Sequence, residues 1–372
     1  MGVQAKELRG GYTTGACAAA GVKACILFLR GEYCEKVDLL ALDGTPLSIP
    51  IKDVCRSEQG VRAEVVKFSG DDPDITNGVS VFTEIRRLPK GSGISFRAGE
   101  GIGHVTKPGL SVPVGEPSIN PGPRQLIRNV AEELLGKDAG LEVTISIPAG
   151  KELAKRTLNP ILGIEGGISV IGTTGVLRPM SEEGFKNSLV PQIDVAKASG
   201  FSSQVFVPGK IGERIALGFG LPGEAIVQTS NFIGFMLEKA AERDVKSVLL
   251  FGHPGKLAKV AAGVFYTHNR IGDARMEALA AYSAAEGLPA SGIRRILASA
   301  TTEEALEVIE AAGLAERVCK ILTERASLRA QRYLFGKMDI GTVMVTLQGK
   351  LLGMDGRAKE IGEAMHWNIT RD

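Results

Sequence analysis

The alternation of apolar and polar positions divides the chain into two rhythms. From residue 14 to 30 small and aliphatic residues run without a polar face. Thr14 is a plausible N-cap and Gly31 a stop, which predicts a helix. Short β-branched runs near 36–42, 47–51, 61–68, 79–87 and 93–97 are separated by Gly, Pro or Asp and read as strands. Leu126, Ile127, Val130 and Leu134 recur at helical spacing within 122–135, and a strand at 141–147 follows. Strands between helices predict an α+β first domain.

After residue 160 strands and helices alternate. Strands at 167–171, 203–207, 224–228 and 246–251 are each followed by a loop and a helical stretch. Four such units predict a mainly parallel, doubly wound sheet with right-handed crossovers, a Rossmann-like α/β second domain. Helices at 272–286, 302–312 and 314–335 come next, then a hairpin around Gln348-Gly349 that could join either domain. The segment 148–166 lacks apolar periodicity, so the boundary is expected there, dividing the chain into 1–160 and 161–372.

Composition narrows the class. The chain has 372 residues, 44% apolar and 23% charged, enough for two cores and far from disorder. The 44 basic and 42 acidic residues leave a formal charge of +2, which argues against a nucleic-acid partner. No run of 18 apolar residues predicts a membrane span, and residues 1–15 carry neither a signal-peptide core nor the myristoylation pattern. A cytoplasmic protein is therefore expected. Cys17, Cys25, Cys34, Cys55 and Cys319 show no zinc spacing, and an odd count suits reduced, buried thiols. The 47 glycines, about 13% against a usual ~7%, are the anomaly. They predict loops where backbone approaches backbone or a ligand.

Several glycine-rich segments could carry chemistry. Gly10-Gly11-Tyr12-Thr13-Thr14-Gly15 opens a helix of tiny side chains, either an anion-binding N-terminus or simply a capped, tightly packed helix. Asp71, Asp72 and Asp74 lie in one turn but lack the spaced acids of a calcium loop. Gly99 to Gly109 resembles a nucleotide loop, yet Pro108 prevents the helix a dinucleotide fingerprint needs. Lys107 remains an anion contact there. Arg124 follows three prolines and could fork onto a carboxylate or stiffen the helix entry. The loops Gly172-Thr173-Thr174-Gly175, Pro208-Gly209-Lys210, Thr229-Ser230-Asn231 and Gly252-His253-Pro254-Gly255-Lys256 should converge at the carboxyl ends of the parallel strands. His253 could transfer a proton near neutral pH or sit inertly in a turn. His268, Asn269 and Arg270 crowd the turn before Asp273. No P-loop and no histidine spacing for zinc is present, so no protein-held metal is predicted.

Seven segments in order carry a resemblance: G-Y-T-T-G-A-C-A-A-A, S-G-D-D-P-D-I-T-N-G, G-E-G-I-G-H-V-T-K-P-G-L, G-E-P-S-I-N-P-G-P-R, N-P-I-L-G-I-E-G-G-I-S-V-I-G-T-T-G, S-N-F-I-G-F-M-L and G-H-P-G-K-L-A-K-V-A-A-G. Together, over about residues 9–280, they resemble the CbiD family of anaerobic cobalamin biosynthesis. One departure is Pro254, which stands where the family pattern has an apolar residue. The resemblance implies methylation of ring carbon 1 of cobalt-precorrin-5B to give cobalt-precorrin-6A. It implies S-adenosyl-L-methionine as donor, cobalt present only inside the substrate, and two domains with the second Rossmann-like. A tetrapyrrole is the implied partner, with neither nucleic acid nor membrane; a homo-oligomer and transient contacts with other cobalamin-pathway enzymes stay open. On that reading Thr13, Thr14, Lys107, Arg124, Lys256 and Arg270 are expected to contact the macrocycle. Gly172, Thr173, Thr174, Gly175, Gly209, Ser230, Asn231 and Gly252 are expected at the donor, His253 handles a proton, and the site is expected in a cleft between the domains. The alternatives are a non-catalytic corrinoid carrier, which would bind the ring without transferring methyl, and a transferase using another donor, which would not bind S-adenosylhomocysteine.

Overall fold

The computed structural model of the protein describes residues 8–370. The sequence readings that depend on residues 1–7 lie outside the described part. The described chain forms two compact units that divide between Glu182 and Glu183.

The first unit opens with β1 (Gly11–Tyr12) and helix α1 (Thr14–Leu29), followed by strands β2 (Lys36–Leu40), β3 (Pro46–Pro50), β4 (Asp53–Arg56), β5 (Val61–Val66), β6 (Ser80–Arg87), β7 (Ile94–Ala98) and β8 (His104–Val105). Helix α2 (Pro121–Leu135), β9 (Leu141–Ser146), the short helices α3 (Gly150–Ala154) and α4 (Asn159–Leu162), β10 (Ile164–Glu165) and β11 (Val176–Leu177) complete it. The main sheet has the order β4-β5-β6-β9-β7, antiparallel except for the β7–β9 pair. The strands alternate as the sequence does: β5 buries Val61, Ala63 and Val65, β9 buries Leu141, Val143 and Ile145. Helix α1 is apolar around most of its surface because it is buried on most sides, against the sheet and against α2. Its small side chains permit that proximity. A Cβ on Gly21 would lie 2.7 Å from Thr83 Cβ, and the Thr83 hydroxyl donates to the Ala18 carbonyl at 3.3 Å.

The run 167–171 is not a strand of the parallel sheet, as its alternation had suggested. Ile168 bridges Ile102 and Val170 bridges Ile119, so the segment belongs to the first unit and the division falls after it, not within 148–166. The loop Gly172–Gly175 moves with it. Thr13 N–H donates to Gly175 O at 2.9 Å, Gly15 N–H to Ile171 O at 3.0 Å, and β1 pairs with β11. The two Thr-Thr-Gly segments thus pack against each other.

The second unit begins within α5 (Glu182–Leu189), and α6 (Pro191–Ala198) follows as a separate helix where the sequence suggested one from 181 to 199. Pro191 starts the second, since proline fits the first turn and lacks the N–H an interior position would use. Next come β12 (Ser203–Val207), α7 (Lys210–Gly218), β13 (Ile226–Gln228), α8 (Ile233–Ala241), β14 (Ser247–Gly252) and α9 (Pro254–Ala261). Four helices, α10 (Arg275–Ala285), α11 (Ala290–Ala298), α12 (Thr302–Ala311) and α13 (Ala315–Tyr333), precede β15 (Asp339–Val345), β16 (Leu351–Met354) and α14 (Gly356–Met365). The sheet order is β13-β12-β14-β15-β16, with all neighbours parallel except β15–β16. The terminal hairpin therefore supplies the fourth parallel strand and an antiparallel edge. Val205, Val207, Leu249, Phe251, Val343 and Val345 pack with α7 and α14 on one face. The alternate residues face α9 and α13, where the Ser327 and Thr342 hydroxyls bond at 2.8 Å. Among the described residues no helix is long and apolar enough to cross a membrane.

A Cβ at Gly11 would lie 2.4 Å from Phe68 O and 2.5 Å from Ser69 C, both backbone atoms that cannot swing aside. Gly11→Ala is expected to destabilise the protein by about 2–3 kcal/mol, as overpacked sites do. Gly218, helical with open space around its missing Cβ, gives the contrast: Gly218→Ala should stabilise by about 0.5–1 kcal/mol. Denaturant unfolding of both variants checks the pair.

Candidate functional site

Three of the four loops expected to converge do so at the carboxyl edge of the second unit's sheet. The chain leaves β12 toward β13 on one side, while β14 lies on the other, so the strand order reverses beside β12. Open parallel sheets take ligands at such a point. Lys256, in the first turn of α9, holds the loops together. Its ammonium donates to Pro208 O at 3.0 Å, after β12, and to Ser230 O at 3.2 Å, after β13. Ser230 adopts φ 53, which turns its carbonyl loop sharply, and Gly209 has φ 145, a conformation side chains disfavour. Gly252 closes β14 with Pro208 packed on it; a Cβ there would meet Pro208 Cδ at 2.9 Å. Burial and the neighbouring Lys259 lower the Lys256 pKa.

An open cleft of about 490 Å³ extends from this clip, lined by Asn231, His253, Lys256, His268, Asn269, Arg275, Thr302 and Glu303 among others. Beneath it Lys259 is 1% exposed. Its ammonium donates to Thr267 O at 3.1 Å and Asn269 Oδ1 at 2.6 Å, with Asp273 Oδ1 at 3.6 Å. Burial lowers its pKa and Asp273 opposes the shift. Asn269 therefore turns its carbonyl inward and leaves its NH2 to the cleft. Lys256 carries three protons and gives two to carbonyls, so one remains. Arg275 grips Asp273 with two nitrogens at 2.8 and 3.1 Å and keeps further N–H groups. His268 Nδ1 accepts from Arg270 N–H at 3.2 Å, which puts the ring proton on Nε2. The lining is thus rich in donors, and Glu303 is its one carboxylate among the lining residues.

His253 is the N-cap of α9. Its Nδ1 accepts from Gly255 N–H at 3.1 Å, and Nε2 stands 3.3 Å from Glu303 Oε1. Burial lowers its pKa below 6.5, against the raising effect of Glu303. Pro254 fits the first helical position, so the departure from the family pattern begins a helix here.

The remaining expected contacts are not among the residues that line this cleft. Arg270 is exposed outside this lining and takes part through its backbone. In the first unit, Thr13 caps α1, accepting from Ala16 N–H at 3.2 Å, and is 8% exposed. Thr14 is buried, its hydroxyl donating to Ile171 O and accepting from Ile171 N–H at 3.2 and 3.0 Å. Gly172 packs on Thr13, Thr173 is exposed, Thr174 Oγ1 accepts from Val176 N–H at 3.2 Å and Gly175 is buried. These geometries make the segment a brace of α1, and it pairs with no strand of the parallel sheet. Arg124 donates to Ile119 O at 2.7 Å, Glu116 Oε2 at 2.8 Å and Pro117 O at 3.2 Å, and so pins its own loop. Lys107 lies half-buried over Gly163.

The acid-rich turn is likewise internal. Asp71 pairs with Arg9 at 2.9 Å, Asp72 accepts from Met180 N–H at 2.8 Å, and Asp74 from the buried Lys67 at 2.7 Å. Lys67 and Thr76 hold the Asp74 pKa down against its burial. Among the described residues no group of three or more metal-ligating side chains occurs. Cys17, Cys25 and Cys319 are buried, and burial pushes the Cys17 and Cys319 thiols up to about 12.

Sequence reasoning missed Lys259, Arg275, Thr302 and Glu303. Lys256 and Lys259, one turn apart on a predicted helix, were a readable signal. Thr302 and Glu303 come from the start of α12, and nothing local announces them.

Residues 1–179 match the family described as CbiD, and residues 266–356 match "CbiD, C-terminal domain". A protein of Moorella thermoacetica named cobalt-precorrin-5B C(1)-methyltransferase is 48% identical over 96% of this chain and 97% of its own length. One of the same name from Methanocaldococcus jannaschii is 44% identical over 94% and 96%. The 1.9 Å crystal structure of the cobalamin biosynthesis protein (cbiD) from Archaeoglobus fulgidus is 28% identical, covers 73% of this chain and 84% of that one, and has a TM-score of 0.38. With relatives so similar over nearly the whole length, the chain belongs to the CbiD family.

Proposed function

We propose that the protein is a C-methyltransferase of cobalamin biosynthesis that methylates ring carbon 1 of cobalt-precorrin-5B, with S-adenosylmethionine as donor. Family membership over nearly the full chain supports the reaction. In the structure one observation carries it: a cleft with a surplus of hydrogen-bond donors at the reversal point of a parallel sheet. The acceptor ring bears many carboxylate arms, and such a lining suits them. The second unit is on this reading the Rossmann-like domain, with Lys256, Arg275, His268 and Asn269 toward the carboxylates. Cobalt arrives within the substrate.

The ring carbon supplies the electron pair, the methyl–sulfur bond breaks, and its electrons stay on sulfur as S-adenosylhomocysteine. Alignment and exclusion of water are what the protein contributes. No proton needs to move through His253. Its Nδ1 lone pair is taken by Gly255 N–H and its Nε2 carries the proton, so it positions α9 and, through it, Lys256.

Incubated anaerobically with cobalt-precorrin-5B and methyl-labelled donor, the protein should label the macrocycle at C1. Absence of label with both ligands bound would sink the reading. Lys256→Met removes a partly buried charged donor worth about 1.5–3 kcal/mol, so the macrocycle Kd should rise at least about tenfold. Unchanged affinity would remove Lys256 from the site. His253 has a depressed folded pKa, so its contribution to stability is complete above about 6.5, the unfolded value, and is lost as pH falls through the folded value. His253→Asn keeps a capping acceptor without titrating. The fall in Tm that wild type shows below about pH 6.5 should be smaller in this variant.

A further inference from the structure

The loop after β12 has two sides. On one, the Pro208 carbonyl faces Lys256 and the donor-rich cleft. On the other, Ile211 lines a second cleft of about 590 Å³, between α7 and the turn joining β15 to β16. Its walls are Ile211, Ile215 and Leu347, with Arg214 and Gln348 at hand and Gly218 and Gly349 lacking side chains. Ile211 is 53% exposed although it sits on the first turn of α7, beside the carboxyl end of β12. Ile211, Arg214, Ile215 and Gly218 fall on one stripe of that helix by the 3.6-residue period. The cleft is of small-ligand size and stands at the edge of the sheet where ligands of parallel folds bind.

The two clefts differ in chemistry. The Lys256 side offers hydrogen-bond donors and suits carboxylates. The α7 side offers aliphatic walls, a floor free of side chains at Gly218 and Gly349, and two long polar side chains. A flat heteroaromatic ring with polar edges fits this combination; a polyanion does not. A two-substrate reaction needs both kinds of surface close together, and one loop, Pro208 to Ile211, borders both.

We infer that the cleft between α7 and the β15–β16 turn holds the adenosyl group of the methyl donor, on the opposite side of the Pro208–Ile211 loop from the acceptor's carboxylates. This rests on the donor being S-adenosylmethionine. The ring lies against Ile211, Ile215 and Leu347 over the glycine floor, with Arg214 and Gln348 at its polar edges. Gly218 then has a ligand-side reason to lack a side chain, since the protein leaves its Cβ position open.

The test is calorimetric binding of S-adenosylhomocysteine to the full chain. Gly218→Leu fills the floor at a helical position where, beyond the adjoining residues and the helix's own backbone, no atom lies within 4 Å of the new Cβ, so the fold should be kept, and circular dichroism checks this. Ile211→Asp places a charge on the exposed wall. Wild type is expected to bind and each variant to bind at least tenfold more weakly. Wild-type affinity in both folded variants would overturn the placement and leave the donor intact. A wild type that does not bind S-adenosylhomocysteine would overturn the donor and the placement together.

Discussion

In the first unit everything hangs on backbone lying directly against backbone. The chain at residues 10–15 runs against residues 68–71 and 171–177 too closely for side chains to intervene. Where two main chains approach this way, their N–H and C=O groups satisfy one another and water is excluded without an apolar side chain. The Thr14 hydroxyl, bonded twice to Ile171, is the polar rivet of that contact. With the start of α1 held so, its small-residue surface can lie on β5 and β6, and α2 can close over it. Beneath the same crossing the buried Lys67 ammonium pairs with the partly exposed Asp74 at 2.7 Å, so loss of the carboxylate would leave a buried cation without its counter-charge.

The second unit solves a different problem. Its parallel strands are buried on both faces, and its own close backbone crossing lies where Gly341 of β15 meets Arg357 and Ala358 of α14. Polarity collects at one edge instead, where parallel strands end together. Lys256 puts a cation at the start of a helix, where the dipole is already positive. Carbonyls of two loops offset this, and the region is left short of negative charge. That local imbalance is invisible in a chain whose total is only +2.

Legibility in the sequence followed how local the cause was. The alternation in β5, β6 and β9 and the apolar runs of β12 and β14 reflect burial of each strand's own faces, and they were readable. The run 167–171 has the same local signature, yet it bridges to Ile102 and Ile119, and partner choice is not written in five residues. β15 read as one arm of a hairpin because its parallel neighbour, β14, lies about ninety residues earlier along the sequence. Among site residues, the loops after β12, β13 and β14 were foreseeable from strand polarity. Thr302 and Glu303 were not, because four helices intervene before the next strand and only packing decides which of their ends faces the cleft. The glycine excess was read as backbone approaching backbone or a ligand. At Gly11, Gly15, Gly101 and Gly167 the near neighbours are the protein's own atoms, mostly backbone. At Gly209 and Gly218 the space is open.

The buried cysteines acquire a meaning beyond packing. The proposed sulfonium donor is an electrophile, and a thiolate is the soft nucleophile a protein can offer it. Burial pushes the Cys17 and Cys319 thiols up to about 12 and Cys25 in the same direction, which favours the neutral thiol. A thiol that cannot ionise neither intercepts a methyl group nor ligates a passing cobalt ion. Burial thus acts as chemoselectivity at these three sulfurs, while Cys34 and Cys55 stand outside the core.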